Sequence, residues 1–189
     1  FNLKGYFMEE NKLLLELASK SIESEFDSSI AFDKKKLLNE NPILNEVRAC
    51  FITLTLNGKL RGCIGSLLAH RTLLEDILHN AKSAAFADLR FDRLTKKEFE
   101  KIKIEISILS VPSALEYSDF NDLEKKIVPN VHGVILELNG KKATFLPQVW
   151  EQLPTFNEFM VHLCKKAGLE PNKLPGLPKI HTYEARKIK

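Results

Sequence analysis

Cysteine, tryptophan and long apolar runs are scarce in this chain. There are three cysteines in 189 residues and no Cys-x-x-C. An odd, sparse set cannot make a disulfide framework, so three free thiols in a reducing cytoplasm are expected. The longest strongly apolar stretch lies near Ala49 to Leu56. It is far below the roughly 20 residues a membrane span needs, so no membrane partner is expected. The first apolar segment is interrupted by charge, unlike a signal peptide. An excess of one charge is missing too: 28 basic and 25 acidic side chains nearly cancel to +3. Aromatic residues do not interleave with a basic stripe, so nucleic acid is not an expected partner. The patterns G-x-x-x-x-G-K-S/T, G-x-G-x-x-G, H-E-x-x-H and G-x-S-x-G do not occur. Histidine and cysteine show no metal-ligand spacing, so neither metal nor cofactor is expected.

What is present is a globular composition, with 44% hydrophobic and 28% charged residues, too apolar for disorder. A chain this long buries about 70% of its unfolded surface and needs no disulfide or metal staple. It opens on Phe1; Met8 reads as the native start, with residues 1–7 an upstream remnant. Tyr6 to Asp27 predicts an amphipathic helix, with Leu14, Leu17, Ala18, Ser21 and Ile22 on one face. The run Lys34-Lys35-Lys36, up to Asn41-Pro42, reads as a solvated link. Val47–Leu56 and Lys59–Ser66 flank Asn57-Gly58, a strong hairpin signal because both turn residues tolerate positive φ. Thr72-Leu73-Leu74-Glu75 has capping-box form and opens a helix with Leu74, Ile77, Leu78, Ala81 and Ala85 on one face. Thr95-Lys96-Lys97-Glu98 opens a short helix. Ile102 to Leu109 then alternates as a strand, isoleucines facing one way and Lys103, Glu105, Ser107 and Leu109 the other.

The same order returns in the second half. Val131–Leu138 and Lys141–Leu146 flank Asn139-Gly140. Thr155-Phe156-Asn157-Glu158 opens a helix that Gly168 stops. A last strand is predicted around Ile180 to Ala185. Hairpin, helix and strand thus appear twice, as a repeat of element order and not of sequence. No Gly/Ser-rich linker separates the halves, which favours one joined sheet over two independent domains.

The densest chemical signal is Leu60-Arg61-Gly62-Cys63-Ile64-Gly65. In a strand Arg61, Cys63 and Gly65 share one face. Two glycines inside a strand suit a place where a ligand or another backbone comes close. A guanidinium beside a thiol favours the reactive thiolate. The structural alternative is a small buried cysteine between glycines that mark a bulge. Counting back from a two-residue turn pairs Leu56 with Lys59, Ile52 with Cys63 and Cys50 with Gly65. Cys50 and Cys63 are then diagonal, roughly 7–8 Å apart, too far for an unstrained disulfide. Cys164 lies on a helical apolar face and reads as core.

Leu60 to Gly65 resembles the signature of the AMMECR1 family. The resemblance continues through Ala84-Ala85-Phe86-Ala87-Asp88-Leu89-Arg90-Phe91, Ile104 to Ser110, His132-Gly133, Phe145-Leu146-Pro147-Gln148-Val149 and Cys164 to Leu169. It covers nearly the whole chain from Met8, in the family's order. Leu174-Pro175-Gly176 departs from it, where relatives often carry a tryptophan. The resemblance implies an α+β fold: a largely antiparallel, partly barrel-like sheet with flanking helices and two related hairpin-helix-strand halves. Residues 8–189 are then one domain of two lobes sharing a sheet, with a cleft between them. It implies no firm activity. It does imply association in bacteria and archaea with a Memo-like protein and a radical-SAM-like enzyme, the two expected partners. The three-cysteine cluster of a radical-SAM iron–sulfur site is missing here, so this chain is not that component.

Two functions stay open on this footing. In one, a small enzyme uses Cys63 as nucleophile or attachment point, His132 or Glu105 moves protons, and Arg61 and Arg90 bind an anionic group of an unidentified small molecule. In the other, the same pocket is a non-catalytic site for a ligand or for a peptide of those partners. Gly62 and Gly65 would give the ligand room. Asp88 and Arg90 either pair to fix their loop or, with Phe91, hold the ligand. Glu105 and Ser107 share a strand face that meets solvent or lines the cleft. Gln148, behind Pro147, caps a helix start or donates to a ligand. His70, His79, His162 and His181 read as incidental.

Overall fold

The computed structural model describes residues 3–189, with side chains from Phe7 onward. Residues 1 and 2 of the expected upstream remnant lie outside the described residues. Along the chain run α1 (Leu3–Glu23), α2 (Lys34–Glu40), β1 (Cys50–Leu56), β2 (Lys59–Gly65), α3 (Leu73–Phe86), α4 (Lys96–Phe99) and β3 (Ile102–Leu109). Then follow β4 (Ser113–Ala114), α5 (Phe120–Lys126), β5 (Gly133–Leu138), β6 (Lys141–Phe145), α6 (Phe156–Lys166), β7 (Lys179–Tyr183) and β8 (Ala185–Ile188). The chain divides into two compact units. One comprises residues up to Leu109 with Arg186–Lys189, the other Ser110–Ala185.

Each unit has its own four-stranded sheet, in the orders β2-β1-β3-β8 and β6-β5-β7-β4. The paired strands are antiparallel, and the fold is α+β. The repeat of element order is therefore a repeat of topology: in both units the third strand lies beside the first strand of the hairpin. The joined sheet expected from the missing linker is not found, and each sheet is open, with two different edge strands. β3 ends at Leu109, and β4 begins directly after Pro112 at Ser113.

Local chemistry explains the elements. Asn57 and Gly58 take φ of 51° and 77°, Asn139 and Gly140 φ of 51° and 76°, the left-handed pair that two-residue hairpins require. All three capping boxes form, at Thr72/Glu75, Thr95/Glu98 and Thr155/Glu158. Two helices were not expected. The lysine run lies in α2, which Asp33 caps by accepting from Lys36 N–H, while Leu37 and Leu38 pack against the core. α5 is capped the same way by Asp119, and its Leu123 is buried. An aspartate before a short polar stretch was the signal in both cases. The predicted last strand is split into β7 and β8 around Glu184.

In the first unit, Leu14, Leu17 and Ile22 of α1 and Leu74, Ile77 and Ala81 of α3 pack on Ile52, Leu54 and Ile106. Each such leucine or isoleucine contributes about 1.5–3 kcal/mol by leaving water. In the second unit Trp150 stacks on Phe159, centroids 3.7 Å apart and planes at 5°, beside Leu136 and Leu163.

The hairpin register corrects the expected one. Leu56 does pair with Lys59, but Leu54 faces Gly62 and Thr55 faces Leu60, so Arg61 is the extra residue of a bulge. Beyond it every pair shifts by one: Cys63 faces Thr53, not Ile52, and Gly65 faces Phe51, not Cys50. The three cysteines are free, Cys50 and Cys164 buried and Cys63 half-buried.

Candidate functional site

Thr53 on β1 faces Cys63 of β2 on one side and Glu105 of β3 on the other. Directly opposed residues share a sheet face, so Cys63, Thr53 and Glu105 form one row, and Gly65, Phe51 and Ser107 the next. The Cys63 Sγ lies 3.3 Å from Thr53 Oγ1. Glu105 pairs with Lys189 at 3.1 Å. Thr53, Cys63 and Glu105 are half-buried and Ser107 is buried, so this is not a plain solvent face. The two glycines answer to their own chain. A Cβ on Gly62 would run into the Ala84 carbonyl of α3, and one on Gly65 into the Phe51 ring. Of the two expected approaches, another backbone is seen at Gly62, the Phe51 ring accounts for Gly65, and neither glycine needs a ligand to account for it.

The outer edge of β2 is closed by two side chains instead of a strand. Cys63 N–H donates to Asp88 Oδ2 at 2.9 Å, and Cys63 C=O accepts from Arg90 Nη2 at 3.2 Å. Arg90 also grips Asp88 through Nε at 3.0 Å and Nη2 at 2.7 Å. Asp88 and Arg90 thus pair, as one of the two sequence readings had it. The Arg90 hydrogen bonds hold the Asp88 carboxyl far below the usual carboxylate range, against burial, which pushes the other way. The Asp88 side chain is 4% exposed and that of Arg90 56%.

Beside this clamp lies an open groove of about 610 Å³, lined by Arg61, Leu89, Arg90, Phe91, Asp92, Arg93, Thr95 and Glu98. Arg61 donates from Nε and Nη2 to the two oxygens of Glu98 at 2.8 and 3.1 Å. Its remaining nitrogen, Nη1, is buried with no hydrogen-bond partner. The guanidinium carbons of Arg61 and Arg90 lie 5.8 and 5.6 Å from the Phe91 ring centroid. Glu98 caps α4 as well, accepting from Thr95 N–H at 2.9 Å. The Arg61 contact, with that cap, lowers its pKa to about 2. The expectation that Arg61 stands as a free cation beside Cys63 is therefore corrected. The bulge makes Arg61 the extra residue of the strand, and Glu98 takes its charge.

A second polar cluster was not anticipated. Asp76, fully buried on α3, accepts from Cys50 N–H at 2.7 Å, Ser66 Oγ at 2.6 Å and Arg71 Nε at 2.7 Å. Asn80 donates to Cys50 C=O at 3.0 Å. Burial first, and then Asp76, pushes the Cys50 thiol far up, so it stays protonated. The only sequence signal was an aspartate and an asparagine four apart on an otherwise apolar helix face.

His132 and Gln148 belong to the second unit. His132 Nδ1 accepts from Val128 N–H at 3.1 Å, and its carbonyl accepts from Trp150 Nε1 at 2.9 Å, which accounts for it locally. Gln148 is exposed in the 3-10 turn Pro147–Glu151, whose start has no side-chain cap. The first unit gathers the other candidates: Cys63, Glu105 and Ser107 on one sheet face, and Arg61, Asp88, Arg90 and Phe91 about the groove.

The motifs that shape the groove and the Cys63 strand lie within residues 15–188, the span matched by the AMMECR1 family profile. The chain belongs to the AMMECR1 family. It is 35% identical over 168 residues to protein Mbar_A1807 of Methanosarcina barkeri, covering 86% of this chain and 81% of the relative. It is 35% identical over 173 residues to protein MK0488 of Methanopyrus kandleri, covering 87% and 80%. The crystal structure of the uncharacterized protein PH0010 from Pyrococcus horikoshii is similar with a TM-score of 0.77 at 28% identity, covering 95% of this chain and 90% of that one. Among the described residues of this AMMECR1-family chain, no helix is long and apolar enough to cross a membrane. Nor do three or more His, Cys, Asp or Glu gather where they could hold a metal.

Proposed function

We propose that this chain binds an anionic ligand in the groove beside Cys63, through Arg61 and Arg90. The observation that carries the reading is the buried, unpartnered Nη1 of Arg61. A buried donor without an acceptor costs about 1–3 kcal/mol, a cost that an oxyanion would offset if the groove wall shifts enough to bring it onto Nη1. Both guanidinium groups are already oriented, each held at Nε and Nη2 by a carboxylate of its own chain. Such fixed donors lose little freedom on binding. Because Glu98 and Asp88 neutralise most of the charge, recognition rests on directed hydrogen bonds rather than on a net field. The test is titration with inorganic phosphate and with citrate, followed by calorimetry. Arg61→Ala and Arg90→Ala should each weaken binding at least tenfold, with circular dichroism as the check on folding. Equal affinity in wild type and both variants would sink the reading.

A second reading is an enzyme in which Cys63 acts on the ligand so held, with Glu105 as the proposed proton-transfer group. It draws on Cys63 being the one cysteine that is not fully buried, and on Arg90, a groove residue, bonding its carbonyl. Iodoacetamide should then label Cys63 faster than Cys50 or Cys164 in the folded protein. If it does not, and Cys63→Ser binds the same anions as before, the catalytic role falls and the binding role stands. The Memo-like and radical-SAM-like partners are proposed to meet this groove in a reducing cytoplasm.

A further inference from the structure

Resting on the anion-groove reading and deepening it, we propose that the occupant is an acidic–apolar segment of a protein partner, with a carboxylate on Arg61 and Arg90 and an apolar side chain on Leu89. Leu89 is 101% exposed, although both of its neighbours are pinned. Asp88 is bonded to the Cys63 backbone and Arg90 to Asp88 and to the Cys63 carbonyl. Phe91 N–H donates to the Asp88 carbonyl at 3.1 Å. A leucine between such anchors cannot fold back into the core, so its exposure is built into the loop. It lines the same groove as Arg61, Arg90 and Arg93.

Two features favour a polypeptide over a small molecule. Pockets for small molecules are concave and largely apolar, whereas this groove is open and walled mainly by charged side chains. A small anion would occupy the arginine corner and leave Leu89 wet, while a chain segment carrying an acid next to an apolar residue covers both. Clustered arginines are also the side chains that read acidic motifs; here Glu98 and Asp88 take the Nε and Nη2 donors, and Nη1 of each arginine lies outside those pairs.

The experiment probes a random hexapeptide array with the full chain, with Leu89→Ser and with Arg90→Ala, and follows inorganic phosphate binding to the same three proteins by NMR. Enrichment of peptides with Asp or Glu next to Leu, Ile or Phe is expected. Leu89→Ser should weaken those peptides about tenfold more than it weakens phosphate, whereas Arg90→Ala should weaken both alike. If phosphate binding depends on Arg90 but the array shows no acidic–apolar preference, or Leu89→Ser weakens both ligands equally, the peptide inference is overturned and the anion groove survives. If neither phosphate nor any acidic peptide binds, both are overturned.

Discussion

In the first unit the hairpin turns at Asn57-Gly58 with φ of 51° and 77°; in the second it turns at Asn139-Gly140 with 51° and 76°. In both, the third strand pairs with the hairpin's first strand, and a Thr/Glu capping box opens the helix that follows. In both, a strand glycine lies where a Cβ would strike an aromatic ring on the neighbouring strand, Phe51 for Gly65 and Tyr183 for Gly133. The likeness ends at the polar groups. The first unit pairs buried aspartates with arginines at two places, Asp76 with Arg71 and Asp88 with Arg90. The second closes its corresponding layers with Trp150 on Phe159 and with the Tyr183 hydroxyl on Thr144 and the Phe145 carbonyl. The plan can thus be built without buried ion pairs. Such pairs are weak stabilisers next to apolar packing.

The comparison can be broken most easily where the two solutions are deepest. Asp76→Ala strands the Cys50 N–H and the Arg71 charge and should cost about 3–5 kcal/mol. Trp150→Ala, its counterpart in the second unit, should cost about the same through cavity formation. Urea unfolding measures both, and a loss under about 1 kcal/mol for Asp76→Ala would mean the polar cluster is not a structural element.

A contrast in pH dependence should come next in size. In the first unit the folded-state pKa values of Glu98 and Asp88 are depressed, Glu98 to about 2. Their stabilisation is complete above the ordinary carboxylate range and is lost as pH falls from about 4.5 toward 2. In the second unit burial raises Tyr117 and Tyr183 to about 12. Their stabilisation is complete below about pH 10 and is lost as pH rises toward 12. Unfolding midpoints across pH should show both limbs, with Glu98→Gln flattening the acid limb and Tyr183→Phe making the alkaline one shallower. Unchanged limbs in these variants would remove the electrostatic contrast.

The smallest effect sharpens the likeness rather than the difference. Asn57→Ala and Asn139→Ala each place a Cβ-bearing residue without asparagine's tolerance at positive φ, and each should cost about 1–2 kcal/mol. Clearly unequal losses would show that the two turns do not carry the same role.

The readable part of this protein is its local part. Asn-Gly turns, Thr-x-x-Glu caps and the alternation of Ile102 to Leu109 each act within a few residues, so spacing sufficed to place both hairpins and three helices, while the α+β class came from the family resemblance. Residue types alone singled out Arg61 and Cys63, and the family resemblance added Asp88 and Arg90. It did not tell whether Asp88 and Arg90 hold each other or a ligand, nor that Glu98, 37 residues from Arg61, completes the groove. Those answers depend on the bulge. A single extra residue at Arg61 shifts the register beyond it by one, and a one-residue slip reverses what faces what across a ladder. Gly62 is likewise required by the Ala84 carbonyl that α3 brings against it. Contacts between residues far apart in the chain are set by how helix and sheet pack, and no local pattern encodes that distance. Local hydrogen bonding and periodicity determined the elements; tertiary packing alone decided the register, the clamp on Cys63 and the groove.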